Sequence, residues 1–115
     1  MTIKIYHNPR CTKSRQTLQL LHDNGITPQI IEYLKEAPSA QEIKEIIRLL
    51  GVNPRDIIRK KEAEYKENNL DNQDLSEDEV ISIIERNPKL IERPIVINGN
   101  KAAIGRPPEN VLAII

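Results

Sequence analysis

Cys11 is the single cysteine in a chain of 115 residues, and its neighbours decide what chemistry it can do. It follows His7-Asn8-Pro9-Arg10 and precedes Thr12-Lys13-Ser14-Arg15. Free cysteine is among the most buried residue types, so an inert buried thiol is one reading. The other is a nucleophilic thiolate. A thiol pKa near 8.5 falls to roughly 3.5–7.5 beside cations or at a helix N-terminus. Arg10, Lys13 and Arg15 supply three cations within four residues, and a helix predicted to begin here adds unpaired N–H groups and its dipole. Ser14 stands at Cys-x-x-Ser spacing, one helical turn on, where its hydroxyl can donate to the sulfur. It reads equally well as an ordinary first-turn serine. His7 either assists the thiolate, as a nearby cation or by orienting the loop, or is a solvent-exposed turn histidine. His22 has no such context and reads as surface.

The spacing excludes a Cys-x5-Arg phosphate cradle, because the residue six places after Cys11 is Thr17. Cations for an anion site must come from elsewhere. Arg59, Arg93 and Arg106 each stand at the end of a predicted element: Arg59 after Ile57-Ile58, Arg93 before Pro94, Arg106 before Pro107. They are either three surface arginines or the parts of one oxyanion site. A lone cysteine and two separated histidines make no metal site. Lys+Arg and Asp+Glu are 17 each, so no global field draws nucleic acid or an anionic membrane. No apolar run reaches the roughly 18 residues of a membrane span. Met1-Thr2-Ile3-Lys4-Ile5-Tyr6 reads as strand rather than leader, so a cytoplasmic location is expected.

The elements that must position these residues follow from pattern and punctuation. Thr2 to Tyr6 alternates as a strand, and His7 to Arg10 is a turn. Thr12 to Asn24 is a helix with Leu18, Leu20 and Leu21 inward and Gly25 at its end. Gln29 to Leu34 is a second strand, parallel to the first by the usual handedness of such crossovers. Ser39-x-x-Glu42 and Ser76-x-x-Glu79 are capping boxes. The first opens a helix with Ile43, Ile46, Ile47 and Leu50 inward, stopped at Gly51. The second opens one with Val80, Ile83 and Ile84 inward, ending near Asn87-Pro88. Pro54 starts a short helix through Ile58, and residues 60–72 read as loop or frayed helix. Ile95 to Ile97 and Lys101 to Ile104 form a hairpin about Asn98-Gly99-Asn100. Pro107 or Pro108 leads into a last short helix. The order is β-α-β, a helical insert at about 39–88, then β-β-α: one α/β domain spanning residues 1–115.

Four segments together resemble the glutaredoxin-linked arsenate reductases of bacteria, over essentially the whole chain. They are Ile5-Tyr6-His7-Asn8-Pro9-Arg10-Cys11 with Ser14-Arg15, Ile58-Arg59-Lys60-Lys61, Glu92-Arg93-Pro94-Ile95-Val96, and Gly105-Arg106-Pro107. The resemblance implies a thioredoxin-like fold with a mixed four-stranded sheet. It implies that Cys11 attacks arsenate, that Arg59, Arg93 and Arg106 hold the oxyanion, and that His7 influences the thiol. It makes Pro94 a cis proline facing the cysteine, with Arg15 supporting the site. It further implies glutathione as co-substrate, glutaredoxin as protein partner and no bound cofactor; a monomer is expected. An outside thiol would explain how one cysteine suffices. Two competing functions share the fold. One is a non-enzymatic redox regulator of the Spx type, but those commonly carry Cys-x-x-Cys where this chain has Ser14, and lack the arginine matched by Arg106. The other is a thiol reductase acting on another substrate, such as a glutathione mixed disulfide, for which three arginines are in excess.

Overall fold

The computed structural model describes residues 2–115. These fall into two compact units, residues 2–36 with Arg93–Ile115, and Ala37–Glu92. The second unit contains the stretch read from the sequence as a helical insert.

The first unit carries a mixed four-stranded sheet. Its strands are β1 (Ile3–His7), β2 (Gln29–Glu32), β3 (Ile95–Asn98) and β4 (Lys101–Ile104), in the order β2-β1-β3-β4. β1 and β2 are parallel, joined by helix α1 (Thr12–Asp23); the other pairs are antiparallel. Gly99, at φ 61°, makes the tight turn of the expected hairpin. Ile5, Leu21, Val96 and Val111 are fully buried and pack as one cluster, lined by Leu18, Leu20 and Ile26 among others.

Three boundaries differ from expectation. β1 runs one residue further, so His7 is strand rather than turn. β2 stops at Glu32 because the backbone N–H groups of Lys35 and Glu36 both donate to the Glu32 carbonyl, at 2.9 Å each, which turns the chain. The last segment, Pro108–Ala113, is a 3-10 helix. Asn110 Nδ2 holds it by donating to the Ile104 and Arg106 carbonyls, both at 3.2 Å. The inward face of α1 also differs: Ser14, Thr17 and Leu21 are buried, whereas Leu18 and Leu20 are only partly so.

The second unit holds α2 (Ala40–Leu50), α3 (Ala63–Glu67) and α4 (Glu77–Arg86), with 3-10 turns at Pro54–Ile57 and Pro88–Leu90. Both capping boxes are present, at Ser39 with Glu42 and at Ser76 with Glu79. Each cap stabilises its helix by about 0.5–2 kcal/mol. Gly51 ends α2 in the left-handed conformation at φ 68°. Ile43, Ile46 and Ile47 of α2 and Val80, Ile81, Ile83 and Ile84 of α4 are buried. Leu50 is only partly buried. The charged stretch after Lys60 forms only α3, which has no buried residue. Ile58 and Ile91 bridge, flanked by bonds of 2.7 Å from Arg59 N to Leu90 O and from Glu92 N to Ile57 O. Among the described residues, no helix is long and apolar enough to cross a membrane.

One close approach ties β4 to α1. A Cβ on Gly105 would lie 2.5 Å from Thr17 Oγ1 and 2.9 Å from Pro94 Cγ. Thr17 Oγ1 faces the Gly105 carbonyl at 3.3 Å and the Lys13 carbonyl at 2.8 Å. Gly105→Ala is therefore expected to destabilise the protein by about 1–3 kcal/mol, as overpacking does. Urea denaturation measures it. The cost should shrink in a Thr17→Ala background; an equal cost in both would show that Thr17 is not what crowds the site.

Candidate functional site

Cys11 occupies the N-cap of α1, with extended backbone at φ −91° and ψ 123°. A joint beneath it fixes that position. His7, the last residue of β1, and Ser14, in the first turn of α1, are both buried. His7 Nδ1 and Ser14 Oγ are 2.6 Å apart, and Ser14 Oγ also accepts from the Asn8 N–H at 3.0 Å. Asn8 completes the loop. Its carbonyl accepts from Cys11 N and its Oδ1 from Arg10 N, each at 3.0 Å. This is the local turn that asparagine side chains favour. Arg15 braces the same loop, donating from Nη1 to the Pro9 carbonyl at 3.0 Å and from Nη2 to Thr12 Oγ1 at 3.3 Å.

Burial pushes the Cys11 thiol pKa up. The Ser14 backbone N–H, the Arg93 guanidinium and the Lys13 backbone N–H together outweigh it, so the net shift is downward from 9.0. The stabilising groups are thus helix N-terminal donors and one distant arginine, not the side chains of Arg10 and Lys13. Ser14 acts on the sulfur through its backbone N–H, while its hydroxyl serves the joint. For His7, desolvation lowers the pKa, Glu32 opposes and Arg15 adds to the lowering. His7 is therefore a buried, neutral anchor at neutral pH, neither an exposed turn residue nor a cation beside the thiolate.

The register of the sheet explains why distant residues meet here. Tyr6 pairs with Ile95, and Ile95 with Ile104. Gly105 N donates to the Pro94 carbonyl at 2.9 Å just past that last pair, and Asn8, Arg93 and Arg106 therefore come together beyond the same ends of β1, β3 and β4. Arg106 Nη1 lies 3.8 Å from Cys11 Sγ and donates to the Arg93 carbonyl at 3.3 Å. Arg93 is half-buried, and Arg106 is exposed. The Arg93–Pro94 peptide is cis, as expected for Pro94; the Arg106–Pro107 peptide is also cis, which no sequence feature indicated.

Two of the three candidate arginines thus meet at Cys11. Arg59 belongs to the other unit. There its Nη1 pairs with Glu92 Oε1 at 3.2 Å and its Nε with Glu62 Oε1 at 3.5 Å. Sequence reasoning overlooked Asn8 as more than a turn residue. The signal available was an asparagine directly before a proline, three residues ahead of the helix cap.

The described arrangement is an activated thiolate facing guanidinium groups, suited to attack on an anionic electrophile. Comparison with known proteins agrees in kind. Residues 6–114 match the sequence model of the ArsC family. The chain is 52% identical to an arsenate reductase of Haemophilus influenzae over 116 residues, covering 100% of each chain. It is 50% identical over 114 residues to the Escherichia coli K12 protein called "Uncharacterized protein YfgD", covering 98% of this chain and 96% of that one. The solved structure of an arsenate reductase from Vibrio cholerae superposes with a TM-score of 0.97 at 50% identity, covering 100% of this chain and 98% of that one.

The balance at the sulfur sets the expected titration. Cys11 should alkylate with a midpoint below that of a free cysteine measured alongside it, and Arg93→Ala should raise that midpoint, because burial then meets less opposition. Iodoacetamide rates against pH measure both. An unchanged midpoint in the variant would remove Arg93 from the activation of the thiol.

Proposed function

The chain belongs to the ArsC family and has its thioredoxin-like fold, and from this premise we propose that it is an arsenate reductase in which the Cys11 thiolate attacks arsenate. The observation that carries the reading is the convergence on Cys11 Sγ of the α1 N-terminus, Arg93 and the Arg106 guanidinium. Arsenate is a tetrahedral polyanion, and planar guanidinium forks match its oxygens better than lysine point charges do. Arg93 and Arg106 hold the oxyanion against the thiolate. Arg59 is assigned to the oxyanion by family resemblance alone; in its own unit it pairs with Glu62 and Glu92.

In the first step the sulfur–arsenic bond forms and one arsenate oxygen leaves as water after taking up protons. Taking As(V) to As(III) then needs two electrons. A chain with one cysteine cannot provide them by closing an internal disulfide. Glutathione adds to the arsenic, and a second oxygen leaves as water. A glutaredoxin thiol then attacks the glutathione sulfur: the mixed disulfide forms, the sulfur–arsenic bond to glutathione breaks, and its electron pair stays on arsenic as As(III). Water hydrolyses the remaining bond to Cys11, which releases arsenite and regenerates the thiol. This reading takes the protein as a cytoplasmic monomer with glutaredoxin as its partner and no resident cofactor. Ser14 and His7 serve it as the joint that holds the nucleophile in place.

Purified protein given arsenate, glutathione and glutaredoxin should form arsenite, and Cys11→Ser should form none. Arg93→Lys and Arg106→Lys should each slow the reaction roughly tenfold to a hundredfold, since a charge-assisted hydrogen bond is worth about 1.5–3 kcal/mol. Wild-type rates in both lysine variants would dismiss the guanidinium clamp. Turnover of a glutathione mixed disulfide with no arsenite formed would favour a thiol reductase for another substrate.

A further inference from the structure

Tyr33 is fully buried, and nothing above gives it a task. It follows β2 directly, in a stretch where Ile30 and Leu34 are exposed. The ends of the strands explain its place. His7 pairs with Glu32 at the end of the parallel pair, and Asn8 and Tyr33 are the residues that follow them. Arg93 stands two residues before β3 and Arg106 two residues after β4, whose pairing ends at Ile95 and Ile104. Tyr33, Asn8, Arg93 and Arg106 therefore gather at one end of the four strands, with Cys11 three residues beyond Asn8.

At this end of the sheet the Tyr33 hydroxyl is buried with no hydrogen-bond partner among the described residues, and the neighbours that act on it are the Arg93 guanidinium and the Asn8 side chain. A hydroxyl with no exposed surface is poorly placed to meet an oxyanion arriving from water. It is well placed to act on the arginine that does. We propose that Tyr33 is a positioning residue for Arg93, its buried hydroxyl accepting from the guanidinium and so fixing the face that Arg93 presents to Cys11 Sγ. Burial raises the Tyr33 pKa above 10.0, which keeps the phenol neutral. It therefore holds Arg93 as a hydrogen-bond acceptor and does not neutralise its charge.

The inference rests on the proposed function only in taking Cys11 as the reactive thiol, and it is tested without arsenate. Groups acting on that thiol are the Ser14 and Lys13 N–H, Arg93 and Arg106, with His7 behind Ser14. Tyr33→Phe removes the hydroxyl and keeps the ring. The Cys11 alkylation midpoint should rise by about half a unit, which is about threefold less thiolate below the midpoint. The same substitution in an Arg93→Ala background should have no further effect, because the two residues act as one unit. Thermal stability should hold or improve, since a poorly satisfied buried hydroxyl is lost. A wild-type midpoint in folded Tyr33→Phe would overturn the proposal. So would an equal shift with and without Arg93, which would make the role structural. Arsenite assays on the same proteins separate the two readings: a shifted thiol without arsenite formation leaves the positioning role and removes the arsenate.

Discussion

The contact between His7 Nδ1 and Ser14 Oγ, at 2.6 Å, sets everything that follows at the site. It fastens the last residue of a central strand to the first turn of the helix. The intervening loop, Asn8 to Cys11, then has both ends fixed and its backbone satisfied from within. A neutral imidazole suits this task, because a charged one would have to be buried beside Arg15. The sulfur is thereby held in one place relative to the sheet. That matters because Arg93 and Arg106 are referenced to the same sheet. Each lies just beyond a strand whose register to β1 is fixed, so strand pairing aligns the arginines with the thiol.

At the sulfur two effects of opposite sign compete. Partial burial disfavours the thiolate, while the helix N–H groups and Arg93 favour it. The favourable groups prevail only together. Backbone donors at a helix start cost no side-chain entropy to aim, and a half-buried guanidinium is screened less by salt than an exposed one. This explains why the nearer cations contribute so little. Arg10 and Lys13 are exposed, and Arg15 is spent on the loop carbonyl of Pro9. Sequence distance was a poor guide to electrostatic distance here.

Much of the frame was legible because it rests on local rules. The capping boxes at Ser39 and Ser76, the αL glycine at Gly51 and the hairpin at Gly99 involve residues within a few positions of each other, and all are as read. Cys11 at the helix start was legible for the same reason. What escaped depends on residues far apart. The buried polar face of α1 exists because Thr17 meets Gly105, 88 residues later. His7 read as turn because its burial comes from packing, not from its neighbours in sequence. Tyr33 carried no signal, since an aromatic near the end of a strand is most simply core. Arg93 and Arg106 were found as candidates from their place before prolines, but their meeting at Cys11 follows from the antiparallel register, which the sequence set only through the hairpin. Arg59 has no comparable link, since it lies in the other unit and is paired there with Glu62 and Glu92.

A formal net charge of zero puts a further demand on such a site. With no global field to gather anions, attraction extends over about 8 Å, the screening length at physiological ionic strength. Capture of an oxyanion must then come from charges at the sulfur itself. Arg106, whose Nη1 lies 3.8 Å from the sulfur, is exposed, whereas Arg93 is half-buried. The exposed one is suited to meeting an incoming anion, at the cost of being screened. The half-buried one is suited to stabilising the thiolate, and a group with that task has to be held still. An arginine carries about 2 kcal/mol of rotamer entropy, so a buried neighbour that restricts it lets the field at the sulfur be constant from one turnover to the next. Tyr33, fully buried and a neighbour that acts on Arg93, is the residue placed to do that.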